Sequence, residues 1–183
     1  MNGRTKVAAI ALAAGLVLVG SACSSSEAAK KLTEKAIEKQ SGGDVDINSK
    51  DGTVKYTDKD GNETEMNIDG EGASLPKGWP DDLAPPDSIK LVTSTTSTAG
   101  SKTSMTVLGE TETSIDDLVP AIKQQVEDAG FKVTQDATGG VAGTGYAGLT
   151  AAKGEDALVV AIASDPTQAG KVTVTMTYST PIR

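Results

Sequence analysis

Histidine is absent from this chain, and cysteine occurs once, at Cys23. These shortages exclude an intrachain disulfide, a Cys/His zinc site, and any nucleophile or general base that relies on imidazole. Aromatic side chains are also scarce, 3% of 183 residues (Tyr56, Trp79, Phe131, Tyr146 and Tyr178), so a core must be built from Val, Ile, Leu, Ala and Met. Positive charge is in deficit as well: 17 Lys and Arg stand against 25 Asp and Glu, a net charge of −8. Nucleic-acid binding rests on basic side chains that displace counterions from phosphates, and here that attraction would be a repulsion, so no nucleic-acid partner is expected. No apolar run is long enough to cross a bilayer as a helix, which takes about 20 residues. The longest, Val7 to Val19, has 13 residues. The length suits one ordinary domain with a small satellite and leaves no room for a large multidomain enzyme.

What is present begins at the N-terminus. Arg4 and Lys6 precede the apolar run Val7–Val19, and the small residues Gly20-Ser21-Ala22 lead into Cys23. A short basic segment, a short apolar segment and a small-residue end make an export signal. Its removal takes away Arg4 and Lys6 and no acidic residue, leaving 15 basic against 25 acidic side chains, a balance of −10. An anionic membrane face would push such a domain outward.

Ser24 with Glu27 fits a capping box for a helix reaching about Gln40, with Gly42 and Gly43 ending it. Its apolar stripe, Ala29, Leu32, Ala36 and Ile37, is thin, which reads as a stalk. Residues 44–69 change to period two, with Val45 and Ile47, Val54 and Tyr56, Met66 and Ile68 separated by polar residues and punctuated by Asp51-Gly52 and Asp60-Gly61. That pattern predicts a small three-stranded acidic meander, too small to stand without laying its apolar face on something. Asp58-Lys59-Asp60-Gly61-Asn62 has a calcium-loop flavour, yet with Gly61 at the sixth position Tyr56 falls at the first and Asn67 at the twelfth, so no metal site is expected. Residues 70–87 hold four of the seven prolines and read as a linker, with Trp79 inside it expected to plug onto the following domain.

From Ser88 the pattern is α+β. Strands are expected at Ile89–Ser97, Lys102–Thr111, Phe131–Asp136, Tyr146–Ala152, Ala157–Ala163 and Val172–Tyr178. A helix is expected behind the Ser114/Asp117 capping box, with Ile115, Leu118, Val119, Ile122, Val126 and Ala129 on one stripe and Gly130 at its end. Pro120 implies either an irregular first turn or a start near Asp117. The expected architecture is a mostly antiparallel twisted sheet with this long helix on one face, and an opposite face rich in Ser and Thr.

Chemistry-bearing motifs are few. Gly143-Thr144-Gly145-Tyr146-Ala147-Gly148 matches G-x-G-x-x-G, but no crossover helix has room to follow it, so Gly139–Gly145 is expected as a loop between strands. Asp81-Asp82, Asp116-Asp117 and Glu155-Asp156 are neighbours in sequence, where a turn or a cap accounts for them. No catalytic residue, cofactor or metal is expected from these patterns.

The small residues before Cys23 resemble the lipobox of bacterial lipoproteins, with one departure: an aliphatic residue usual three places before the cysteine is here Gly20, and Val19 lies one step further out. The chain as a whole resembles a family of small secreted lipoproteins of high-GC Gram-positive bacteria. The likeness rests on that cysteine, the stalk KLTEKAIEKQSGGDVDI, the Asp-Gly-punctuated hairpin, the segment LPKGWPDDLAPP and the helix SIDDLVPAIKQQVEDAGFKV. It differs where the family pattern has an aromatic, around Ala121 and Ile122. The resemblance implies a diacylglyceryl anchor on Cys23, a place at the extracytoplasmic face of the cell membrane, and an α+β domain. An ordinary signal peptidase would instead accept Gly20-Ser21-Ala22 and release a soluble protein. The expected organisation is a lipoprotein signal over residues 1–22, a stalk helix over 23–43, the meander over 44–69, the proline-rich linker over 70–87 and the α+β domain over 88–183. The expected role is a non-catalytic binding or interaction module of the cell envelope, with an envelope protein, a lipid or a glycan as partner. A cell-wall enzyme or enzyme accessory and a structural spacer are the alternatives.

Overall fold

The computed structural model describes residues 34–35, 38–39, 42–48, 52–68, 72–141, 144–165 and 167–182. The export signal, Cys23 and most of the stalk fall outside the described residues. Among the described residues, nine strands form one open antiparallel sheet: β1 (Asp44–Asn48), β2 (Thr53–Thr57), β3 (Glu63–Asn67), β4 (Lys90–Ala99), β5 (Lys102–Thr111), β6 (Lys132–Val141), β7 (Thr144–Lys153), β8 (Asp156–Ser164) and β9 (Val172–Pro181). Their order across the sheet is β1-β2-β3-β4-β5-β9-β8-β7-β6. One helix, α1 (Ile115–Asp128), crosses the inner face over β6, β7 and β8. This is the expected α+β sheet with one helix on a face, and all six strands expected after Ser88 form.

The alternation of side chains decides what that sheet buries. Met105 and Val107 of β5, Val172, Val174, Met176 and Tyr178 of β9, Leu158, Val160 and Ile162 of β8, and Ala147, Leu149 and Ala151 of β7 all point inward and are buried. Leu118, Ile122 and Val126 of α1 meet them, as its stripe requires. Ser114 caps the helix: its hydroxyl accepts from the Asp117 N–H at 3.2 Å and donates to the Asp117 carboxylate at 2.6 Å. The helix begins at Ile115 and not near Asp117, so Pro120 sits inside it. The residue a proline bond would deprive is the carbonyl of Asp116, in the first turn on the solvent side, where water can serve it.

Helix α1 leaves the inner face of β5 and β9 open, and the proline-rich segment closes it. Trp79 and Leu83 are buried there, Trp79 edge-on to Tyr178 at 6.3 Å between ring centroids. The Trp79 indole N–H donates to the Leu83 carbonyl at 3.0 Å across the 3-10 turn Asp81–Leu83, so the expected plug forms with its polar handle satisfied. Gln125 of α1 joins helix to cover, its amide donating to the carbonyls of Asp82 (3.1 Å) and Ala84 (2.6 Å).

The meander joins the same sheet by its edge, since β3 pairs with β4 from Glu63↔Thr98 to Asn67↔Ser94. Its turn at Gly61, with φ +80°, uses the Asp-Gly signal seen in the sequence. The stretch from Gly139 to Gly145 departs from expectation. β6 continues through Gly139 and Gly140 to Val141 and β7 starts at Thr144, so these residues are strand and not loop, while 142–143 lie outside the described residues. Gly139 pairs with Tyr146, whose ring lies where a side chain at Gly139 would sit, so an aromatic stands in for the missing side chain.

Candidate functional site

The three adjacent carboxylate pairs stay apart and serve local structure. Asp81 and Asp82 open the 3-10 turn, and Asp117 is tied to Ser114. Asp156 accepts the Thr180 hydroxyl at 2.6 Å. Asp58 is similarly occupied. Its carboxylate accepts from the Asp60 N–H (2.8 Å), the Asn62 N–H (2.9 Å) and the Asn62 side-chain amide (2.8 Å). These donors, the Asn62 amide first, hold its carboxyl below the usual carboxylate range. Its oxygens turn back into their own loop. Among the described residues, no three acidic or Cys side chains gather as a metal would need. Gly145 and Gly148 lie in β7, and a Cβ on Gly145 would come within 3.0 Å of Ile115, so that glycine makes room for α1 and not for a phosphate.

Two concave features flank α1. A small space of about 10 Å³ lies between α1 and the sheet, lined by Val119, Ile122, Ala147, Leu149, Val160 and Ile162. It is about one water in size and wholly apolar, so it stays dry. An open depression of about 440 Å³ runs along the outside of α1, between Asp82, Ala121, Gln124 and Asp128. Neither is a groove for a lipid tail or peptide between helix and sheet.

The largest feature is the face of the sheet away from α1. In register across it run Ser97, Ser104, Ser179, Ala157 and Ala152; then Thr95, Thr106, Thr177, Val159 and Thr150; then Leu108, Thr175, Ala161, Gly148 and Ala137. No charged side chain interrupts these rows. The hydroxyls bond to one another, Ser104 to Ser179 at 3.1 Å, Thr106 to Thr177 at 3.1 Å and Thr64 to Ser97 at 3.3 Å. Charge returns at the rim, at Lys102, at Lys132 beside Ala152 and in the Lys171–Glu110 pair at 3.1 Å. Toward β8 and β7 the hydroxyls give way to Ala and Gly, and Val159 and Tyr146 stand out, 46% and 58% exposed. Alternation in β9 made a Thr-rich outer face legible in advance. The breadth of the charge-free area was not, because it depends on the order β5-β9-β8-β7, which brings distant segments side by side.

Cys23, expected as the lipid attachment point, lies outside the described residues. Among the described residues, no helix is long and apolar enough to cross a membrane. Compared with known proteins, the chain matches no family model, no curated protein and no solved structure.

Proposed function

We propose that this chain is an exported lipoprotein, held at the extracytoplasmic face of the cell membrane by a diacylglyceryl group on Cys23, whose displayed domain is a non-catalytic binding or interaction module of the envelope. The basic start, the short apolar run and the small residues leading into the only cysteine support the anchor. Each buried acyl methylene contributes about 0.8 kcal/mol, so two chains hold a small domain where one would let it go. A free thiol on an exported chain would be a liability, and lipidation removes it.

One observation carries the contact role: the widest surface of the domain is the charge-free sheet face, while the sequence-adjacent carboxylates gather in no cluster, with Asp117 held in the helix cap and Asp156 by Thr180. Such a surface recognises by area and shape. The alternative, a wall enzyme or its accessory, draws on Asp82 and Asp128, which share the open depression outside α1.

The intact mass of the mature protein from a membrane fraction, beside a Cys23→Ser variant, tests the anchor. The expected native chain begins at Cys23 with a diacylglyceryl mass that the variant lacks. An unmodified Cys23 on a protein found in the medium overturns it. Asp82→Asn with Asp128→Asn tests the role: turnover of wall fragments that this pair abolishes would overturn the non-catalytic reading.

A further inference from the structure

We infer that the charge-free sheet face is a self-association surface, and that a second copy of this chain stacks on it, outer face to outer face. The inference rests on the contact role just proposed and names its partner; it does not depend on the lipid.

The area is sufficient. Strands lie about 4.8 Å apart and alternate residues about 6.8 Å apart, so the charge-free part of the face over β4, β5, β9, β8 and β7 covers about 500 Å². Two such faces in contact remove about 1,000 Å² from water, the lower end of specific interfaces, which fits a reversible dimer.

Charge selects the partner. Each copy carries a balance of −10 once the signal is removed, so two copies repel over most of their surfaces. The rows from Ser97 to Ala152, Thr95 to Thr150 and Leu108 to Ala137 are where two copies can meet without bringing like charges together. A lipid surface fits less well. No Lys or Arg stands within the rows to meet headgroups, and the side chains there are too short to insert. A glycan would look for stacking rings and free hydroxyl partners, whereas here one Tyr is exposed and the central hydroxyls are bonded to each other.

Shape agrees. Val159 and Tyr146 project, and the row between them holds Ala161 and Gly148. Under a twofold axis, projections of one copy seat over the small-residue row of the other, as an isologous interface requires. Ala and Gly along that row let the sheets approach to about 10 Å, the ordinary spacing of stacked sheets.

Sedimentation equilibrium on the full chain carrying Cys23→Ser, over a wide concentration range, tests this. The expected result is a monomer–dimer equilibrium that tightens as salt screens the acidic copies from each other. Val159→Lys, which sets two like charges across the twofold axis, is expected to weaken the dimer at least tenfold. Ala161→Glu should do the same, and Ala121→Lys, on the exposed side of α1, should change nothing. Circular dichroism melting of each variant separates lost association from lost folding, since these positions are exposed. A chain that stays monomeric at every concentration overturns the inference, as does a dimer unchanged by both face variants. Binding of the monomer to neutral phosphatidylcholine vesicles, lost in Val159→Lys, would overturn it in favour of a lipid surface.

Discussion

The two ends of the sheet bury opposite faces. From β5 to β7 the apolar side chains point toward α1 and the Trp79 segment, and the outer face carries hydroxyls and small residues. From β1 to β3 the pattern is inverted. Val45, Ile47, Val54, Tyr56 and Met66 share the outer face in register, while Asp44, Asp46, Lys55, Glu63 and Glu65 occupy the inner one. The switch falls between β3 and β4, where Met66 lies beside Thr95 and Asn67 beside the buried Ser94. A sheet continuous in its hydrogen bonds is therefore discontinuous in its core. Backbone pairing needs only an edge, whereas burial needs a cover on the matching side, and α1 covers only one of the two ends.

The two sheet edges differ in the same way. At β1 the carboxylates of Glu34 and Glu38, one helical turn apart, accept the N–H groups of Ile47 (3.0 Å) and Val45 (3.4 Å), which are two strand residues apart. One helical turn and two strand residues are nearly the same length, so the pair seals the edge. The β6 edge is protected more weakly, by a bulge between Val133 and Gln135 and by the charges of Lys132 and Asp136.

The largest expected effect lies in the covered half. Trp79→Ala should cost about 3–5 kcal/mol by urea unfolding, because it empties a site between Tyr178 and the proline-rich cover. A cost under about 1 kcal/mol would show that the segment is only a tether. Leu158→Ala, fully buried in the same half, should cost about 2–5 kcal/mol, against about 1–2 kcal/mol for Val45→Ala at the other end. Equal costs would break the contrast between the halves. Gly109→Ala places a methyl within 2.9 Å of the Lys90 carbonyl and against Ile89, and should destabilise by about 1–3 kcal/mol.

Glu34→Ala with Glu38→Ala should leave global stability nearly unchanged and speed hydrogen exchange at Ile47 and Val45 while β5 to β9 stay protected. Uniformly faster exchange would show that the two halves open as one. Acid gives the smallest effect. The carboxyls of Asp58 and Asp165 are held below the usual range, chiefly by the Asn62 amide and by the Thr167 hydroxyl respectively. The stability each contributes is present above the unfolded value, about 4, and is lost as pH falls through the lower folded value. Hydrogen exchange at pH 3 should then rise through β2 and β3, but only within the connecting loop at Asp165, where the flanking strands are held by the core. Protection unchanged between pH 6 and pH 3 at both turns would overturn this.

Much of this fold is legible in the residues themselves. The VTVTMTYST alternation of β9, the Ser114/Asp117 cap and the apolar run of β8 each depend on neighbours within a few positions, and each forms where the pattern places it. Gly139 to Gly145 is misread as a loop because glycine weakens a strand locally, and what restores it is a ring seven residues away, at Tyr146. The candidate face is legible only one strand at a time. Nothing local in Ala157, Val159 and Ala161 says that they lie beside Thr177 and Thr150.

By itself the amino-acid sequence determined the period of each element, its turns and caps, the acidic surface and the small aromatic allotment, since these follow from bonds and side chains close together along the chain. Tertiary structure alone decided that the meander extends the main sheet, that the proline-rich segment closes the core, that the buried face changes sides after β3, and that six strands pool their uncharged residues on one surface. Those outcomes depend on strand order and register, which long-range pairing sets and no local pattern encodes.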